Sequence, residues 1–490
     1  MSTLKKLASQ TVIYGFTTIF ARLLNFALTP LHTDRIAQAE YGVLNDLYSM
    51  IAFLMVVLTF GMETAFFRFF NDKKNDSGQV FSHSLLVTLS LSLLLIAFTA
   101  LNLDTIATFL RYEARPHFIL WMLLIVAMDA VAAVPLAKLR AQNQPLRFLI
   151  VRLGTIGIMV GLNLVFFLLV PLWKESGSMG FLVDYLDQAG GNVAYVFLAN
   201  LVGKAFMILF FVPGFLKIRW KLNPSLLKGL IVYAAPLVLG FLAGITNEKA
   251  QYQFMKFLLD EPQNMEAAGI FGAMMKIATF MALFIQAFRF AAEPFFFSGE
   301  GDFKAKMARV MKYFVIIQSL IFLGLVCFTE VLQWTHFIDE KYWTGWHIVP
   351  ILLFANLLLG INFNLNIWYK LKNMTRMGAY ISFFGLAFTV LTNLLLVPRY
   401  GYLGAAWATL ISYGAMTGYS YYLNQKHDPT AYPVKTLSMY LTLSILGAVL
   451  SFVVFDAAWL PGLIIFGFYL SFVLWLEGKP FLKMLKNEQA

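Results

Sequence analysis

The sequence predicts an all-α polytopic membrane protein of about 14 transmembrane helices. Three observations predict it. Apolar stretches of about 20 residues recur along the whole chain, the length needed to cross a hydrocarbon core of about 30 Å. The composition is 60% hydrophobic and only 13% charged, with a mean hydropathy of +0.72, whereas soluble domains carry about 25% charged residues. The charges gather between the apolar stretches and alternate in character from one loop to the next. Inside lipid every backbone N–H and C=O must find an internal partner, so stretches of this kind cross as helices.

In chain order the expected spans are 8–29, 43–70, 80–102, 117–137, 148–171, 192–215, 226–247, 267–290, 312–332, 347–369, 377–397, 402–423, 435–455 and 459–476. The first is too long for the apolar core of a secretory signal and has no small-residue cleavage site behind it, so it is read as a retained span. An even number of spans puts both termini on one side. Most of the Lys and Arg fall on the N-terminal side, in clusters such as Lys73–Lys74, Lys138–Arg140–Arg147, Lys217–Arg219–Lys221, Lys304–Lys306–Arg309 and Lys370–Lys372–Arg376. The opposite loops carry fewer, among them Arg111, Arg115, Lys249 and Lys256. This asymmetry predicts cytoplasmic termini. It also accounts for the net charge of +11 through anionic lipid head groups, with no nucleic-acid partner needed. The single cysteine, Cys327, excludes an intrachain disulfide. The longest connection, about residues 172–191, is too short for a soluble domain, so the function is expected inside the bundle.

The two halves of the chain repeat weakly. YGVLNDLYSMIAF from Tyr41 lines up with AGIFGAMMKIATF from Ala268, Asn143 and Asn163 with Asn373 and Asn393, and GNVAYVFLANLVG from Gly191 with GYLGAAWATLISY from Gly401. The expected organisation is an N-terminal lobe of six spans (1–222), a C-terminal lobe of six (223–430), and two extra spans with a tail (431–490). Both lobes begin on the same side, so the repeats are parallel and related by a pseudo-two-fold axis along the membrane normal, a plan that places a substrate site between halves near mid-membrane.

Several segments resemble a known group. TNLLLVPRYGYLGAAWATLISYG (392–414), FGMETAFFRF (60–69), Asn373 after the basic turn at Lys370 and Lys372, and the opening SQTVIYGF through PLHTDRIAQAEYGVLND resemble polysaccharide-exporting flippases. These form the polysaccharide (oligosaccharide repeat-unit) branch of the multidrug/oligosaccharidyl-lipid/polysaccharide exporter superfamily. The resemblance implies two six-helix lobes around a central cavity, alternating access, a lipid-linked sugar substrate, and a bacterial inner (plasma) membrane location. Two C-terminal helices beyond the second lobe occur in the lipid II flippase and in some polysaccharide flippases.

Ionisable groups inside spans are costly, so they face a cavity or a partner. Arg22, Asp129, Lys204 and Lys276 fall deepest; Arg68, Arg152 and Arg289 fall near the cytoplasmic ends, and Asp46 near the outer end of the second span. Three of the four deepest groups are cationic. A diphosphate crossing a low-dielectric region needs compensating positive charge, supplied by the fork of Arg or the point charge of Lys. Arg22, Lys276, Lys204 and Arg289 are therefore the candidate substrate contacts. The resemblance adds weight to Arg22 and Lys276, because cations in these spans line the cavity of related flippases. Asp129 and Glu63 are candidate coupling carboxylates for a proton or sodium ion. The plain alternative is a buried Asp129–Lys204 salt bridge holding the first lobe together.

The six histidines show no metal-ligand spacing, and no phosphate-binding Gly-Lys-Ser/Thr loop is present. No metal, no cofactor and no enzymatic activity are expected. Trp334, Trp343 and Trp346 read as an aromatic belt, and Pro236 with Gly240 as a bend. The leading expectation is a flippase that moves a polyprenyl-diphosphate-linked oligosaccharide to the outer leaflet for surface polysaccharide or O-antigen (lipopolysaccharide) synthesis. A lipid II flippase is the nearest alternative and a multidrug/cation antiporter a weaker one, since its cavity would favour acidic groups.

Overall fold

A computed structural model describes residues 15, 19–20, 22–218, 220–297, 303–372, 374 and 376–487, with side chains described outside 289–297 and 479–487. Among the described residues the regular elements are helical, as hydropathy and lipid solvation require. Among the described residues twelve helices are long and apolar enough to cross a membrane. One of them, Arg376–His427, reverses at Gly401 (φ 56°, ψ −131°) and so makes two passes. The first predicted span, 8–29, lies mostly outside the described residues. The chain forms two compact units, Met1–Gly269 and Ile270–Ala490.

The first unit is built from α1 (Gln38–Thr59), α2 (Met62–Phe70), α3 (Ser77–Leu101), α4 (His117–Ala141), α5 (Pro145–Leu164), α6 (Gly191–Phe215) and α7 (Pro224–Leu258). α1 and α2 make one predicted span, broken where Phe60 and Gly61 both take positive φ. α4 is central and packs on α1, α3 and α6. Its run of small residues, with Ala127, Ala130, Ala132, Ala133 and Ala137 all buried, lets neighbouring backbones approach, which is how helices associate where lipid removes the hydrophobic drive. A cluster of Met62, Phe66, Phe81, Val134 and Leu230 joins α2, α3, α4 and α7. The connection at 172–191 contains two short helices, Val170–Ser176 and Gly180–Gln188. Pro236 sits inside a continuous α7.

At the start of α1, Gly42 packs on the Met265 carbonyl, and Gly269 packs on the Gln38 carbonyl. The alignment that pairs Tyr41 with Ala268 makes Gly42 equivalent to Gly269 and Gln38 to Met265. The crossing is thus reciprocal. Only glycine permits it, because a Cβ at either position would collide with backbone.

In the second unit, α8 (Gln263–Phe297) continues from the crossing and is followed by α9 (Phe303–Cys327), α10 (Val349–Leu365), α11 (Arg376–His427), α12 (Val434–Val449) and α13 (Trp459–Asn487). α10 packs on α11, while α12 and α13 pack on α9. Glu477 fixes that last contact: Lys312 Nζ lies 2.7 Å from its carboxylate and Tyr440 Oη donates to it at 2.9 Å. The glycines matched by the repeat, Gly191 (φ 59°) and Gly401 (φ 56°), both turn the chain into the helix that follows. The matched asparagines agree as well. Asn163 donates to the Met159 carbonyl and Asn393 to the Thr389 carbonyl, each four residues back and each at 2.7 Å. Trp343 donates to the Ile338 carbonyl and Trp346 is buried, so of the three predicted belt tryptophans Trp334 has the exposed ring, edge-on to Trp459.

Candidate functional site: charged groups within the first unit

Two groups of charges sit inside the first unit. The first spans α2, α4, α5 and α6. Lys204 Nζ on α6 donates to Asp129 Oδ1 on α4 at 2.8 Å, with side chains 13% and 22% exposed. Arg140 Nη2 donates to Glu63 Oε1 at 2.6 Å, and this pair is more open, at 32% and 45%. Arg152 on α5 is half-buried and feels the charges of Asp129, Arg140 and Glu63. Among the described residues no carboxylate lies in ion-pair range of it; its guanidinium leans on the Phe148 ring. Asn200, one turn before Lys204, donates to Tyr48 Oη at 2.6 Å. The cluster therefore holds three cations (Arg140, Arg152, Lys204) against two carboxylates (Glu63, Asp129), one positive charge in excess. A part-exposed group of this kind in a low-dielectric setting attracts an anion.

The second group is fully enclosed. Lys256 Nζ on α7 donates to Asp46 Oδ2 on α1 at 2.7 Å, and both side chains are 0% exposed. Tyr112 Oη donates to the same oxygen at 2.7 Å, while Gln253 Nε2 donates to Oδ1 at 2.6 Å and to Ser49 Oγ at 2.9 Å. The ammonium also lies 4.0 Å from the centre of the Tyr112 ring. Tyr112 stands outside the spans, and burial together with the Asp46 charge pushes its hydroxyl well above the usual tyrosine range; it stays a donor. Every charge here is satisfied, so this group is a fastener between α1 and α7.

The sequence-predicted residues fall as follows. Lys204 and Asp129 are brought together, as the plain alternative expected. Glu63 joins the same cluster through Arg140, while Arg68, five residues on, turns to the Tyr233 ring at 4.4 Å. Arg22 lies exposed on a helical stretch at 22–27. Lys276 is half-buried on α8 in the second unit. Arg289 lies on α8, and its side chain is outside the described residues, as is Asn373 of the resemblance. Among the described residues no cluster of His, Cys, Asp and Glu is arranged to hold a metal.

Two groups were misplaced by the sequence reading. Lys256 was assigned to an outer loop; it lies on α7 and is buried against Asp46, because α7 runs to Leu258. Arg140 was assigned to a cytoplasmic loop; α4 extends to Ala141, so its side chain reaches back to Glu63. Asp46 carried a usable signal: the predicted topology puts the start of the second span and the end of the seventh at one depth, and an isolated carboxylate there demands a cation.

No protein-family model and no curated protein matches the chain. Solved structures do. One described as the lipid II flippase MurJ in an inward closed conformation aligns at TM-score 0.74 and 12% identity, over 94% of this chain and 99% of that one. An inward-facing multidrug resistance MATE family transporter of the MOP superfamily aligns at 0.63 and 12% identity, over 86% and 96%. A Vibrio cholerae MATE transporter aligns at 0.52 and 14% identity, over 86% and 96%. At these identities the likeness establishes a shared fold: the chain is a multi-pass helical membrane protein with the architecture of MOP-superfamily transporters.

Proposed function

We propose that this protein is a flippase that carries a polyprenyl-diphosphate-linked oligosaccharide from the cytoplasmic to the outer leaflet of a bacterial inner membrane by alternating access, for surface polysaccharide or O-antigen synthesis. The carrying observation is the excess positive charge of the cluster in the first unit, with Arg152 unpaired beside the Lys204–Asp129 bridge. Arg152 and Lys204 would meet the diphosphate, and Arg22, Lys276 and Arg289 would add positive charge from the first and eighth spans. An acidic cavity for cationic drugs fits this balance poorly. Asp129 and Glu63 are the coupling carboxylates in this reading. Domain division into six-span lobes at 1–222 and 223–430, with 431–490 appended, and cytoplasmic termini belong to the same proposal. It is supported by the reciprocal Gly42–Gly269 crossing and the paired Asn163 and Asn393 devices.

A lipid II cargo is the second reading, favoured by the MurJ fold match. Both are tested by leaflet accessibility of labelled lipid-linked sugars in cells depleted of this protein. The expected result is inner-leaflet retention of the oligosaccharide lipid, rescued by wild type and not by R152A or by R22A/K276A. Retention of lipid II alone would select the second reading. Normal translocation of both lipids, with no redundant flippase present, would rule out both.

A further inference from the structure

At the basic end of the first unit, a cavity of about 440 Å³ opens between the ends of α4, α5 and α6. Lys138, Arg147 and Lys217 line it, with Gln142 and Gln144 between them. Among the described residues no carboxylate pairs with any of the three cations. Arg147 Nη1 donates to Gln144 Oε1 at 3.1 Å, and Lys138 Nζ sits 4.0 Å from the centre of the Phe81 ring, so both are held toward the cavity by neutral groups. Pro135 and Pro213, inside α4 and α6, also border it.

The second unit resolves the equivalent place differently. The spacing that carries Asn163 onto Asn393 carries Lys138 onto Trp368, and the spacing that carries Gly191 onto Gly401 carries Lys217 onto His427 and Ile218 onto Asp428. Trp368 is fully buried and stacks on His427 at 6.3 Å. Asp428 supplies the counter-charge, 2.8 Å from Lys304 and 2.9 Å from Lys372. There Trp368 fills the place that Lys138 takes in the first unit, and two cations share an acid of the chain's own; in the first unit the place is open, three times positive, and without an acid of its own. An anion has to come from outside the chain. Beside the cavity, Leu146, Ile150 and Leu209 are strongly exposed and offer an apolar track for acyl chains.

From this we infer that the cavity is a binding site for the phosphate head group of an anionic membrane phospholipid, with Lys138, Arg147 and Lys217 as its ligands and the exposed flanks of α5 and α6 against its tails. Basic pockets between spans are suited to such head groups. The site is separate from the cargo proposal, whose residues it does not include.

The test is native mass spectrometry of the full-length chain released from nanodiscs of phosphatidylcholine doped with phosphatidylglycerol. Wild type is expected to retain phosphatidylglycerol over phosphatidylcholine. K138Q/R147Q/K217Q is expected to bind phosphatidylglycerol on the order of 100-fold more weakly, at about a factor of five per cation, with phosphatidylcholine unchanged. Q142E keeps every cation and supplies the missing acid at an exposed position. It is expected to weaken retention about 5-fold, and it decides the matter if the triple variant does not fold. Equal phosphatidylglycerol retention by wild type and Q142E, or no preference over phosphatidylcholine, would overturn the inference. Inorganic phosphate or pyrophosphate displacing the lipid at equal concentration would also overturn it, assigning the cavity to a soluble anion.

Discussion

Replacing Lys256 with methionine removes one charge from a fully buried pair. The carboxylate of Asp46 accepts from Lys256, Tyr112 and Gln253 at 2.6–2.7 Å and is 0% exposed. K256M leaves it with two neutral donors and no counter-charge. Breaking a buried pair from one side costs about 3–5 kcal/mol, and D46N should cost a similar amount by stranding the ammonium under Tyr112. The double variant D46N/K256M removes both charges, and replacing a buried pair entirely is often close to neutral. The expected signature is a coupling energy of at least about 2 kcal/mol in a double-mutant cycle, well above the few tenths found for independent sites. Reversible unfolding in detergent by denaturant titration, followed by intrinsic fluorescence, measures it. Single variants each within about 0.5 kcal/mol of wild type, or a double variant whose loss equals their sum, would refute the idea that α1 and α7 are fastened by this charge pair.

Two further outcomes follow from particular contacts. G42A and G269A should each destabilise by about 1–3 kcal/mol, because the new methyl meets a backbone carbonyl with no rotamer to give way, whereas G418A, exposed in a helix with open space around its Cβ position, should be neutral or stabilising by up to about 1 kcal/mol; the same unfolding assay ranks them. Asp428, just past the end of α11, is desolvated by burial, yet hydrogen bonds and charge from Lys304 and Lys372 outweigh that and hold its carboxyl below the usual carboxylate range. A depressed folded-state value means the stabilisation is complete above the unfolded carboxylate range and is lost as pH falls through the folded value, so hydrogen exchange at 424–432 should stay slow to below about pH 4 and speed up only under more acidic conditions. Fast exchange already at pH 5 would contradict the three-residue clamp, and D428N should show it at neutral pH.

Residue order alone makes this chain a bundle of membrane-crossing helices and sets most of the places where they begin and end. Lipid allows little else: apolar length, the scarcity of charge and the demand that backbone groups bond internally act locally, residue by residue. The local tasks of Gly191 and Gly401 and of Asn163 and Asn393 were legible in the same way, since each depends only on near neighbours. Which charges meet depends instead on how the helices pack. Asp46 and Lys256 are 210 residues apart and Glu63 and Arg140 77, and no local rule links them; the pairing exists because α1 lies against α7 and α2 against α4. The same holds for the open cavity at Lys138 and its filled counterpart at Trp368. A side chain's charge is written in the sequence, whereas the field it feels is a sum over neighbours that folding brings within a few ångströms.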